Sequence, residues 1–212
     1  MTLGVLARAF VLPTVLVACV GALAVLAVPK AHAQTLTEIA DDIETLIEQG
    51  RNEDAMRAAR GFLRSVTDLT GFGVTNARLI SSPATGFGVY EPRDSNVYMP
   101  GEPVYAYVEV YGFSLSRQPT GSNRLLFDVS FTLDSLDGQQ MTDAMIAMGD
   151  IQLESYSEPI DGFFHLTYRV TGALGAYSLR TSVTDRASGQ TAQFTIPVEF
   201  AGYDEMDMED DK

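Results

Sequence analysis

Tyr105, Tyr107 and Tyr111 recur along the run Val-Tyr-Ala-Tyr-Val-Glu-Val-Tyr, residues 104–111, with Glu109 between the last two. Alternate side chains of a strand share one face, so this spacing lines three phenols and a carboxylate on one side. Such a stripe can stack on sugar rings or anchor a protein partner. Tyr105, Tyr107, Glu109 and Tyr111 are therefore the candidate binding site. The competing expectation is that another element covers this face. The chain has no tryptophan, which weakens the sugar reading.

Catalytic and metal chemistry have less to work with. A nucleophile with a histidine base would have to use His165, which falls mid-strand on the face of Thr167 and Arg169. No serine stands in a Gly-x-Ser-x-Gly elbow. Beyond the leader, one histidine and no cysteine leave zinc only carboxylates. Asp128, Asp134, Asp137, Asp143, Asp150 and Glu154 lie on or beside strands, but their spacing singles out no acid–base pair. Asp134-Ser-Leu-Asp-Gly138 is short of the alternating ligands and late glutamate that a calcium loop needs. No catalytic residue, metal site or cofactor is assigned.

Two near copies of Thr-Gly-Phe-Gly-Val, at 70–74 and 85–89, raise the question of a ligand-cradling glycine loop. A phosphate cradle opens onto a helix N-terminus, whereas these runs lead into strands. Gly71 is expected to stop a helix and Gly86 to make a turn. Phe72 and Phe87 are both expected to enter the core, with neither run touching a ligand.

Residues 1–33 read as a signal peptide. Arg8 is followed by an apolar stretch from Phe10 to Val28, then Ala31-His-Ala33, so cleavage is expected between Ala33 and Gln34. The protein is then periplasmic or secreted. Membrane attachment arises only if this segment stays uncleaved or Cys19, in Leu-Val-Ala-Cys, is lipidated. The chain has 14 basic and 28 acidic residues; Arg8 and Lys30 are the only charges in the leader, so the remainder has 12 and 28, a formal charge of −16. That balance argues against nucleic acid as a partner. Cys19 is the only cysteine, so the fold rests on its apolar core.

The positioning elements change type along the chain. At 34–69 a helical hairpin is expected. Thr35 and Glu38 have capping-box spacing, and Leu36, Ile39, Ile43, Leu46 and Ile47 make one stripe. Gly50 breaks the helix, Asn52 is the expected N-cap of the second, and Ala55, Ala59, Phe62, Leu63 and Val66 make its stripe. So short a hairpin cannot hold a core alone, and the tyrosine face is the surface it is expected to cover. From Gly71 the period becomes 2, with alternation at 104–111, 125–134, 163–170 and 193–200 and weaker strands near 73–80, 86–91, 139–148 and 177–184. Seven to eight strands without intervening helices indicate a mainly β antiparallel sandwich over 70–200. The acid-rich stretch at 201–212 reads as a disordered tail.

Leu174-Gly-Ala-Tyr-Ser-Leu179, leading to Val183 and Asp185, is similar to the late strands of immunoglobulin-like modules of secreted bacterial proteins. Met99-Pro-Gly-Glu-Pro-Val104 resembles the lead-in to a central strand of those modules. The resemblance implies a β-sandwich of 7–8 strands and a tyrosine that bonds back to nearby backbone. It implies no catalytic residue. The expected function is non-catalytic binding or scaffolding in the cell envelope, with an envelope protein or a glycan as partner. The alternatives are a carbohydrate-recognising module using the tyrosines and a carboxylate-dependent hydrolase.

Overall fold

The computed structural model describes residues 34–202. The signal, anchor and lipidation expectations for 1–33 and the tail from 203 onward lie outside the described residues. No helix among the described residues is long and apolar enough to cross a membrane.

Helix α1 spans Leu36–Glu48, and its capping box is formed: the Thr35 hydroxyl accepts from the Glu38 N–H at 3.2 Å, and Glu38 accepts from the Thr35 N–H at 2.7 Å. Gly50, at φ 71°, turns the chain. Helix α2 spans Asn52–Thr70, with Arg51 and not Asn52 at its N-cap, and no side chain caps it. The backbone is already helical at Asn52, so its amide cannot reach back. Arg51 instead pairs with Asp54 at 2.7 Å. Gly71, at φ 77°, ends α2 as its position predicts.

Nine strands follow: β1 Gly73–Ile80, β2 Val97–Tyr98, β3 Val104–Tyr111, β4 Ser116–Arg117, β5 Asn123–Asp134, β6 Ile146–Ser155, β7 Asp161–Tyr168, β8 Gly175–Asp185 and β9 Thr191–Phe200. They form two curled sheets. One has the order β1-β3-β7; the other runs β2-β9-β8-β5-β4, with β6 along the opposite edge of β5. All pairings are antiparallel except β2 with β9. The stretch expected as a strand at 86–91 is a turn, and the one expected at 139–148 begins only at Ile146.

The alternating strands bury their apolar sets toward one another. Val104, Ala106, Val108 and Val110 of β3 meet Phe127, Val129 and Phe131 of β5 and Leu179 and Val183 of β8 in a shared core. At about 1.5–3 kcal/mol per large side chain buried, this core needs no disulfide or metal. Phe72 joins it, stacking on Phe127 at 5.7 Å. The Tyr168 and Thr181 hydroxyls share a hydrogen bond across it at 2.8 Å.

Tyr98, Tyr107 and Tyr168 are each buried. Burial pushes the Tyr98 and Tyr107 phenols up to about 12 and Tyr168 higher still. The unfolded phenol ionises near 10, so the fold holds the neutral form. This stabilisation is fully present below pH ~10 and is lost as pH rises through about 12. Melting temperature is expected to fall steeply over that window, with three phenols ionising together with unfolding. Phenolate absorbance reaching its full value near pH 10 while the fold persists would contradict this.

Candidate functional site

The tyrosine stripe is covered, but not by the hairpin. Of the two helices only Ala55 is buried, and neither helix lies over β3. The cover is the segment at 81–92, which leaves β1, folds across the outer face and returns to its edge. Ser81 N–H donates to Glu91 O at 2.9 Å, and Arg93 N–H to Leu79 O at 3.2 Å. Within this flap Gly86 and Val89 bridge, and Gly88 takes φ 68°. The Gly88 N–H donates to the Tyr107 hydroxyl at 2.7 Å, which donates to Glu109 at 2.8 Å. Tyr90 packs on Tyr107 with centroids 4.3 Å apart, and the Arg78 guanidinium lies over Tyr90. Tyr107 is thus sealed, while Tyr105, Glu109 and Tyr111 stay half-buried. The Tyr111 ring lies against Gly73, where a Cβ would come 2.3 Å from its hydroxyl. The flap thus covers the middle of the stripe at Tyr107, and Tyr105, Glu109 and Tyr111 flank it.

Phe87 departs from its expected burial. It is 49% exposed at the tip of the flap and meets Phe163 edge-on at 6.0 Å. A turn residue has no second layer over it, so Phe87 packs sideways. There it forms one wall of a groove of about 590 Å³. Leu125, Ile151, Leu153, Phe163 and Phe164 line it as well, together with Ser155, Asp161 and His165.

The topology explains the groove. Among the described residues β7 pairs only with β3, and β6 only with β5. The five residues joining them, at 156–160, carry the chain from one sheet to the other. Phe164 faces the core and Phe163 and His165 the flap side, so residues from both faces of β7 line the groove. It therefore follows the unpaired edge of β7, where the two sheets stand apart. His165 is exposed, as its place on the strand predicts.

Of the candidate acids, Asp134, Asp137 and Asp128 are engaged locally. Asp134 holds Arg180 at 2.7 Å, and Asp137 takes a hydrogen bond from Ser135 in the turn that closes on Gly138. That hydrogen bond also holds the Asp137 carboxyl below the usual range. Asp128 pairs with Arg186. Among the described residues no three His, Cys, Asp or Glu side chains gather into a metal-binding group.

No protein-family model matches the chain, and no curated protein does. Solved structures resemble it only weakly. Spo0M, a sporulation control protein from Bacillus subtilis, is 12% identical at TM-score 0.33, covering 63% of this chain and 50% of that one. A β-glucuronidase of Bacteroides uniformis is 13% identical at TM-score 0.35, covering 61% of this chain and 14% of that one. The alkylpurine DNA glycosylase AlkC of Pseudomonas fluorescens, bound to DNA containing an abasic site analog, is 13% identical at TM-score 0.34, covering 79% and 46%. This chain spans half or less of each. At these TM-scores the likenesses carry no argument about its activity.

Proposed function

We infer that the protein is a non-catalytic binding module of the periplasm or cell exterior that takes an extended segment of a partner protein along the free edge of β7. The observation that carries this reading is the groove itself. A strand edge offers unpaired N–H and C=O groups, and the side chains beside it are mostly apolar. An added strand satisfies the backbone groups and buries alternate side chains in such a groove. A glycan would need a lining richer in polar groups than Ser155, Asp161 and His165 supply.

Two further features support an immunoglobulin-like module. The three-strand sheet faces a second sheet in which β2 runs parallel to β9. The Tyr177 hydroxyl donates to Leu174 O at 3.0 Å, the back-bond that the resemblance implies. Export is supported by the signal-like segment at 1–33.

The test is selection of a displayed random octapeptide library on the full chain, beside a glycan array. Peptides alternating β-branched or aromatic residues are expected to be enriched. Phe163→Asp, which puts a charge in the groove lining, is expected to weaken them at least tenfold, by roughly the 1.4 kcal/mol or more that such a factor represents. Bound peptide is expected to slow hydrogen exchange along β7. Glycan binding without peptide enrichment, or enrichment indifferent to Phe163→Asp, would remove the reading.

A further inference from the structure

The hairpin presents a surface that nothing among the described residues covers. Both helices are amphipathic, yet Ile47 is 58%, Met56 61%, Leu63 50% and Leu69 75% exposed. Two helices of this length hold their stripes against water only with a further layer. The sandwich does not supply it. Only the C-terminal part of α2 approaches the sheets, through Arg64 and Glu158 at 3.4 Å.

Charge identifies the missing layer. Helix α1 carries Glu38, Asp41, Asp42, Glu44 and Glu48 and no basic residue. None of these has a basic partner among the described residues. Helix α2 is the reverse in an otherwise acidic chain, with Arg57, Arg60 and Arg64, and Arg51 at its cap, against Glu53, Asp54 and Asp68. Asp54 pairs with Arg51 and Arg57, whereas Arg60 has no carboxylate within ion-pair distance among the described residues. Met56 and Leu63 flank Arg60 at helical spacing, as Ile47 follows Glu44. Helix α1 thus exposes Ile47 among acids, and α2 exposes Met56 and Leu63 beside arginines, so the charges flanking the two apolar surfaces are opposite in sign.

We propose that two copies of this chain pair through their hairpins, α1 of each packing against α2 of the other to form a four-helix bundle. Ile47 of one copy meets Met56 and Leu63 of its partner, and Glu44 and Glu48 face Arg57 and Arg60. A two-fold axis makes both contacts identical, so the assembly closes as a pair. The acceptor surface on α2 extends into a cleft of about 540 Å³ beside loop 157–161, lined by Leu63, Arg57, Arg60, Pro159 and Ile160. Glu158 and Asp161 border that cleft, but Glu158 is already held by Arg64. The pairing does not depend on the groove at β7.

Sedimentation equilibrium of the full chain tests it. The expected mass is twice that of one chain. Glu44→Arg with Glu48→Arg, or Arg57→Glu with Arg60→Glu, is expected to bring the mass down to one chain. Mixing these two variants, or combining all four changes in one chain, is expected to restore the pair. All the changed positions are exposed, and circular dichroism checks that each variant keeps its fold. A monomeric parent chain overturns the proposal. So does a dimer that charge reversal leaves intact, or charge-reversed variants that stay monomeric when mixed.

Discussion

Phe127→Ala is expected to lower the unfolding free energy by about 3–5 kcal/mol, the range for removing a buried phenylalanine. The upper half of that range is expected here. Phe127 is fully buried, and its ring touches three others: Phe72 at 5.7 Å, Phe113 at 6.0 Å and Phe164 at 5.8 Å. These come from three parts of the chain, namely the residue before β1, the stretch after β3, and β7. Truncation therefore opens a cavity whose walls belong to different elements and cannot collapse together. Phe127→Leu keeps most of the volume and is expected to cost less than half as much. Chemical denaturation of the three proteins decides it. If Phe127→Ala falls within 1 kcal/mol of the parent, the centre of the core lies elsewhere. Phe164 also lines the groove, so Phe127→Ala is further expected to weaken any peptide held there.

The strands with unbroken alternation were legible because burial acts on every second residue. β3, β5, β7 and β9 fall where period 2 places them, and the Thr35 capping box placed α1. β6 was misplaced for a local reason. Its partner β5 shifts register between Val129 and Ser130, and Gly149 takes φ 97° opposite that shift. Met148 and Ile151 both pack toward the core, although an odd spacing separates them. A bulge reverses parity in this way, and an alternation count cannot cross it.

The site was less legible, because it depends on what stands next to a strand and not on the strand itself. The spacing of Tyr105, Tyr107 and Tyr111 correctly puts them on one face, but the sequence pattern does not say what lies above. Both helices looked suited to that place. The flap occupies it, tied down by the hydrogen bond from the Gly88 N–H to the Tyr107 hydroxyl and by the ring of Tyr90. The groove left one trace in the sequence: Phe163 stands among His165, Thr167 and Arg169 on the outward face of β7. An apolar ring in a polar set marks either a covered face or a docking surface. Here it marks the edge of both, since the flap reaches Phe163 only through Phe87. Meaning also shifted between the two Thr-Gly-Phe-Gly-Val runs. The first delivers Phe72 to the core; the second delivers Phe87 to the groove.

Gly112→Ala is expected to disrupt the junction between hairpin and sandwich more than any other exchange of glycine for alanine. Gly112 follows β3 at φ 66°, a conformation that costs an L-residue about 1–2 kcal/mol. A Cβ there would also fall 2.2 Å from Gly71 O, 2.7 Å from its carbonyl carbon and 3.2 Å from Phe72 Cα. These are backbone atoms and cannot rotate away. Gly71 is held to α2 by its N–H bond to Thr67 O at 2.8 Å, and Phe72 by its N–H bond to Gln190 Oε1, also at 2.8 Å. The chain must therefore part at this point, adding about 1–3 kcal/mol of overpacking strain, for a total near 2–5 kcal/mol. Gly73→Ala is the control. Its Cβ meets the Tyr111 side chain at 2.3 Å, and that ring can swing outward. Thermal melts are expected to rank Gly112→Ala well below Gly73→Ala. Hydrogen exchange is expected to rise at residues 64–72 in the former alone, because the end of α2 loses its seat against the sandwich. Equal melting of the two variants, or unchanged exchange in that segment, would mean that the hairpin is held to the sandwich by some other contact.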